Sequence, residues 1–269
     1  MLVTFWSNFH QSGTTSNAAA LSVMIALEYR LRLLITHNQY ERSGLETTFL
    51  DRQYVKNELV KSRDIGIDAL SGFVRFNKAD KDNILTFTTT LINKKLDMLP
   101  GTTITNKELY IRDMTDVIEN LLAAVKETYD LVVIDASGEN ELNDKIIHHS
   151  DLIIVNLNQN YNALEHFFGN YDKLSEKCVF LLSRYDKDSR LNKKNIMRRY
   201  DLKDKLVVVP YSIEFSDACM EGKLIDFLIR NLKADKDDLN FELMSSLRKA
   251  VEFILKRLNI NIELKKLGE

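Results

Sequence analysis

The chain has 269 residues, 45% hydrophobic and 9% aromatic, which supplies enough apolar material for a large core and excludes a chain disordered throughout. Its 37 basic and 39 acidic residues give a formal charge of -2, so there is no general attraction to nucleic-acid backbones and only a local patch could serve. Cys178 and Cys219 stand alone, without CxxC or paired Cys/His spacing, which excludes a disulfide framework or cysteine metal site and fits a reducing cytoplasm.

The first strand is expected over residues 2–6. It lacks the charged, apolar and small-residue sections of a signal peptide, and no apolar run reaches the length of a membrane span. Membrane contact is therefore expected to be peripheral or through a partner. The strand runs into the loop Ser7-Asn8-Phe9-His10-Gln11-Ser12-Gly13-Thr14-Thr15-Ser16-Asn17 and then into the Ala-rich helix Ala18-Ala19-Ala20-Leu21. Further short apolar runs follow at 33–36, 96–99, 131–134, 152–157, 179–182 and 206–209, separated by longer helical stretches. Runs this uniformly apolar suit strands covered on both faces, and the intervals are long enough for right-handed crossovers. The pattern predicts an α/β fold, a doubly wound and mostly parallel sheet of roughly seven strands with helices on both faces. One domain is expected over residues 1–269, because no repeat or Gly/Pro/Ser-rich linker divides the chain.

Between the second and third strands, residues 51–95 read as a helical excursion. Pro100 and Pro210, the only prolines, each directly follow a strand, on the edge where open α/β sheets collect ligands. Near the C-terminus, residues 240–258 form an amphipathic helix with Phe241, Met244, Leu247, Val251, Ile254 and Leu258 on one stripe. That stripe packs on the sheet or binds a membrane surface.

Two segments carry chemistry. Strand, loop and helix in that order form the setting of a P-loop, where backbone N–H groups and a helix N-terminus surround phosphate and a hydroxyl holds Mg²⁺. Against G-x-x-x-x-G-K-[ST], Asn8 stands at the first glycine, Gly13 at the second, Thr14 at the lysine and Thr15 at the magnesium ligand. The alternative is an ordinary turn with a hydroxyl cap on the helix. The second segment, Leu131-Val132-Val133-Ile134-Asp135-Ala136-Ser137-Gly138, is a buried strand ending in a carboxylate and a D-x-x-G turn. Asp135 there either orients waters around a phosphate-bound Mg²⁺ or caps the next helix; Gly138, lacking a side chain, lets its N–H approach a terminal phosphate.

Together with Ser150-Asp151-Leu152-Ile153-Ile154-Val155, Leu182-Ser183-Arg184-Tyr185 and Val209-Pro210-Tyr211, these segments occur in the order seen in ParA/MinD-like ATPases, of the SIMIBI class of P-loop NTPases, which the chain resembles over nearly its whole length. Trp6-Ser7, the 10–17 loop, Gly66-Ile67-Asp68-Ala69-Leu70 and Leu99-Pro100-Gly101-Thr102 resemble an atypical branch, the TadZ/CpaE-like proteins of pilus assembly. The resemblance implies ATP and Mg²⁺ as cofactors. It implies the loop residues His10, Gln11, Ser12, Gly13, Thr14, Thr15 and Ser16 around phosphate, Thr15 and Asp135 on the metal, Gly138 at the γ-phosphate, and Arg184, Pro210 and Tyr211 near the base. It also implies a homodimer, with pilus or secretion assembly proteins as partners at the cytoplasmic face of the membrane or the cell pole.

The chain departs from that family where charge matters. Thr14 replaces the P-loop lysine, the second family lysine falls near Phe9 or His10, Ile35-Thr36-His37-Asn38 lacks the water-activating aspartate, and Ser183 replaces the adenine-loop asparagine. A single cation at a phosphoryl-transfer site is worth roughly 10³–10⁵ in rate, so slow turnover or none is expected, while backbone-mediated binding survives. The leading expectation is an ATP-binding regulator with a degenerate loop. The rivals are a partition-type ATPase acting on DNA or protein cargo and a nucleotide-free structural pseudo-ATPase. For DNA, the best local candidate is the basic run Arg190-Leu191-Asn192-Lys193-Lys194-Asn195-Ile196-Met197-Arg198-Arg199, but Asp186, Asp188, Asp201 and Asp204 surround it and nucleic acid is not the expected partner. His148-His149 point apart on a helix and make a poor metal site.

Overall fold

The computed structural model describes residues 1–40, 44–59, 64–171 and 177–267. Its strands are β1 (Leu2–Trp6), β2 (Leu33–His37), β3 (Thr89–Ile92), β4 (Leu96–Met98), β5 (Leu131–Asp135), β6 (Leu152–Leu157), β7 (Cys178–Tyr185) and β8 (Leu206–Pro210). They form one eight-stranded sheet in the order β3-β4-β2-β5-β1-β6-β7-β8. All pairings are parallel except β3 with β4. The seven expected strands are present. The eighth, β3, lies inside the stretch read as purely helical, of which residues 60–63 fall outside the described residues. It is half-buried and mixed in polarity, so it lacks the apolar signature of its neighbours; the turn through Lys94, at φ 59, folds it back on β4.

The alternation along each strand sorts side chains into two cores. Val3, Phe5, Leu131, Val133, Ile154 and Leu181 face one layer, while Leu2, Trp6, Val132, Ile134, Val155 and Leu182 face the other. In the first half of the chain the helices are α1 (Thr14–Glu28), α2 (Gly44–Phe49), α3 (Arg52–Tyr54, followed by a π-helical turn over Val55–Leu59), α4 (Ile67–Phe76), α5 (Lys81–Thr86) and α6 (Lys107–Thr128). The second half adds α7 (Glu141–His149), α8 (Tyr161–Asn170), α9 (Lys193–Arg199), α10 (Ile213–Met220), α11 (Leu224–Arg230), α12 (Phe241–Arg257) and α13 (Ile262–Lys265). Helices α1, α2 and α10 to α12 cover the first face, and α4 and α6 to α9 the second.

Helix α1 is buried without interruption from Asn17 to Ala26, because it lies under a further helix rather than facing solvent. That helix is α12. Met244, Leu247, Val251 and Ile254 are all buried in the core that also holds Ala18 to Ala26, and Arg248 Nε pairs with Glu28 Oε1 at 2.6 Å. The amphipathic stripe is thus used internally, on α1 and β8. Among the described residues no helix is long and apolar enough to cross a membrane.

Candidate functional site

The parallel strands deliver β1, β2, β5 and β7 to one edge of the sheet, and a cleft of about 930 Å³ opens there. Its lining includes His10, Gln11, Ser12, Gly13, Thr14, Thr15 and Ser16 from the loop after β1, together with Asp135, Gly138 and Arg184. Pro210 and Tyr211 stay outside that lining. Pro210 pairs with Tyr185, and Tyr211 N–H donates to Tyr185 O at 3.4 Å, so both stand beside the Arg184 turn.

The loop after β1 is held by its own serines. Ser7 Oγ donates to Asn156 O at 2.7 Å, Ser12 Oγ to Phe9 O at 2.7 Å, and Phe9 N–H to Ser7 Oγ at 3.2 Å. Asn8 reaches across to α8, donating to Ala163 O at 3.0 Å. Gln11 (φ 58) and Gly13 (φ 74) are left-handed, which turns the chain sharply into α1. A Cβ on Gly13 would stand 3.1 Å from Ser183 Oγ, so the loop is seated directly on β7. Asn17 Nδ2 completes the seat, donating to Asn156 Oδ1 at 2.9 Å and to Ser183 Oγ at 2.5 Å. The register of β7 shifts between Leu182 and Tyr185, and Arg184 adopts φ 49; this irregularity puts Ser183 under the loop and Arg184 in the cleft.

No side chain caps α1: Gly13 occupies the cap position, and the first helical bond is Asn17 N–H to Gly13 O at 3.0 Å. The hydroxyl-cap alternative does not apply. Thr14, Thr15 and Ser16 of the first turn line the cleft, at the positive end of the helix dipole.

Asp135 closes the other side. Its Oδ2 accepts from Thr15 Oγ1 at 2.6 Å and from Gln39 Nε2 at 3.1 Å, while Oδ1 is buried without a partner. Asp135 caps nothing; Asn140 caps α7, accepting from Asn143 N–H. Burial pushes the Asp135 carboxyl up to about 6, against the pull of the Thr15 bond. An orphaned oxygen beside a threonine hydroxyl is the donor set that a hard divalent cation takes, so the residues present fit Mg²⁺. The turn after Asp135 is fixed by Asn38, whose Oδ1 accepts from Ser137 N–H at 2.8 Å, and Gly138 at φ 87 holds a left-handed conformation that a residue with a Cβ rarely adopts.

Several residues here carry no local signal in the sequence. Gln39 and Asn38 reach the cleft because β2 pairs with β5 and sets His37 opposite Asp135. Lys107, Tyr110 and Ile111 come from α6 and Tyr40 from the exit of β2. Behind them lies a buried ion pair, His37 Nε2 to Glu46 Oε1 at 2.7 Å, with Gly101 N–H donating to the same oxygen at 2.9 Å. Burial alone would raise Glu46, but His37 and Gly101 outweigh it and hold the carboxyl down to about 2. Burial likewise works against charge on His37, and Glu46 overcomes it to raise the imidazole.

The other candidates lie apart. His148 and His149 are exposed, and among the described residues no cluster of three or more His, Cys, Asp or Glu side chains is placed to hold a metal. In the basic run, Arg199 is already paired with Glu165 at 2.8 Å.

No protein-family model matches the sequence, and no curated protein does. Solved structures do match in three dimensions. A ParA family ATPase from Chlorobium tepidum TLS superposes with a TM-score of 0.73 at 15% identity, covering 93% of this chain and 98% of that one. A putative plasmid partition protein from Borrelia burgdorferi B31, bound to AMPPNP, gives 0.65 at 16% identity over 95% and 98%. The septum site-determining protein MinD from Pyrococcus horikoshii OT3, complexed with Mg-ADP, gives 0.64 at 18% identity over 94% and 95%. At identities this low the likeness establishes architecture, and the architecture of this chain is the α/β fold of the ParA/MinD P-loop NTPases.

Proposed function

We propose that the cleft binds ATP with Mg²⁺ and that the chain, as one nucleotide-binding unit, is a regulator or scaffold with slow hydrolysis or none. The observation that carries this reading is the orphaned Asp135 Oδ1 beside Thr15, at the mouth of an uncapped helix. The amides at the start of α1 would hold phosphate, and Thr15 and Asp135 would hold the metal, which supplies charge neutralisation between phosphates. Gly138 and Ser137 would meet a terminal phosphate, and Glu139 ties that turn to Tyr171, which packs on Trp6 with ring centroids 5.0 Å apart. Bound triphosphate would thus select one arrangement of the turn and its neighbouring surface. Neighbours of the same fold are described with AMPPNP, with Mg-ADP and, for an Aquifex aeolicus MinD, in complex with MinC. By extension the proposal makes this chain a homodimer at the cytoplasmic face of the membrane, in the localisation or assembly of a pilus or secretion system of the TadZ/CpaE type.

Calorimetric titration with ATP and Mg²⁺ tests the core of the reading. Binding in the micromolar range is expected, lost in Thr15→Ala, with phosphate release near background. No heat and no thermal shift at millimolar nucleotide would remove it.

A further inference from the structure

Among the described residues, the ammonium missing at Thr14 has a replacement within reach of the same cleft. Two lysine or arginine side chains line the cleft, Lys107 and Arg184, and neither has a carboxylate partner. The sheet order separates them. Arg184 leaves β7, on the β6 side of β1; Lys107 begins α6, which follows β4 and packs most closely on α7, the helix behind the Asp135 turn. Lys107 therefore belongs to the metal-ligand end of the cleft and Arg184 to the opposite end.

The setting of Lys107 is built. Asn106 caps α6 by accepting from Leu109 N–H at 3.0 Å, and the Tyr40 hydroxyl donates to Thr105 O, fastening the helix start to the exit of β2. One turn further on, Tyr110 lines the same cleft; it is only 1% exposed, yet its hydroxyl has no hydrogen-bond partner. A buried phenol without a partner is costly, and its free hydroxyl is available to a polar group in the cleft. The lysine itself sits at the first residue of a 22-residue helix, where the dipole disfavours a cation, so an anion in the cleft would relieve both.

Resting on the nucleotide reading above, we infer that Lys107 supplies the phosphate-facing cation that the loop after β1 lacks, and that with Tyr110 it distinguishes a nucleoside triphosphate from a diphosphate. It is a binding and specificity residue contributed from the helix layer opposite to α1. No covalent step is involved.

The test is the affinity of ATP and of ADP, each with Mg²⁺, by calorimetry and by fluorescence of Trp6, the chain's one tryptophan, which lines the cleft. The intact chain should prefer ATP. Lys107→Met should weaken ATP about ten- to a hundredfold, the scale of one charge-assisted hydrogen bond, and leave ADP within about twofold. Lys107→Arg should restore most of the preference, and because Lys107 is exposed both variants should fold. Equal effects on ATP and ADP, or none, would overturn the inference while the nucleotide reading stands. Failure of the intact chain to bind either nucleotide would bring down both, and Thr15→Ala losing both while Lys107→Met loses only ATP separates the two roles.

Discussion

Glu46 and Asp135 are both buried carboxylates at the same edge of the sheet, one behind β2 and the other at the end of β5, and they are treated oppositely. Glu46 has a histidine and a backbone N–H turned toward it and is held as an anion, at about 2. Asp135 keeps one oxygen without a partner and is pushed to about 6. Burial is nearly the same, so partners decide the difference. A carboxylate that the fold supports fully is structural; one that the fold leaves short is waiting for charge from outside. The fold thus secures its frame at one carboxylate and leaves the other short of partners, which on the proposed function is where Mg²⁺ would be held.

Breaking the supported carboxylate should have the largest effect. Glu46→Ala would leave His37 buried without its counter-charge and should cost about 3–5 kcal/mol in urea unfolding. Gly101→Ala attacks the same pair sterically, because a Cβ there would stand 2.1 Å from His37 Cε1; a loss of about 1–3 kcal/mol in the same assay is expected. Asp135→Asn should act with the opposite sign. It should stabilise the ligand-free protein by about 2 kcal/mol at pH 8, raising the melting temperature by a few degrees, while abolishing Mg²⁺-dependent nucleotide binding. A melting temperature that falls instead would mean that Asp135 is structural after all.

Acid titration sharpens the contrast. The folded pKa of Asp135 lies above its free value of 3.8, so stability linked to it is present at low pH and is lost as pH rises toward about 6. Glu46 lies below its free value of 4.5, so its contribution is present above that pH and lost as pH falls toward about 2. Asp135→Asn should flatten the first slope and Glu46→Gln the second, read from melting temperatures between about pH 2.5 and 8. The smallest effect belongs to the surface: Arg199→Ala, which breaks the exposed pair with Glu165, should leave the melting temperature within experimental scatter of the intact chain.

What is legible in the sequence is whatever lies contiguous in it. Uniformly apolar runs mark seven strands, and β1, its loop and α1 form one uninterrupted segment whose Gly13 and Thr15 can be compared with a motif directly. Strand β3 escapes that reading because an edge strand wetted on one side does not show the apolar run. Gln39, Glu46, Lys107 and Tyr110 escape it for a different reason. Gln39, Lys107 and Tyr110 meet the 10–16 loop across the cleft, and Glu46 meets His37 behind it, only because the sheet order sets β2 and β5 side by side and returns α6 to the same edge, and nothing near them in sequence signals that meeting. The amphipathic pattern of α12 is visible, but not its occupant; that needs α1, which buries both of its sides and so requires a cover.

The antiparallel hairpin of β3 and β4 also governs how copies of the chain can associate. Thr89–Ile92 is a four-residue outer strand, half-wet and irregular in register against β4. Such a margin is a poor template for another backbone, so the sheet is protected on that flank from growing into a continuous ribbon between molecules. Any association on that side would have to proceed through side-chain surfaces rather than through main-chain pairing.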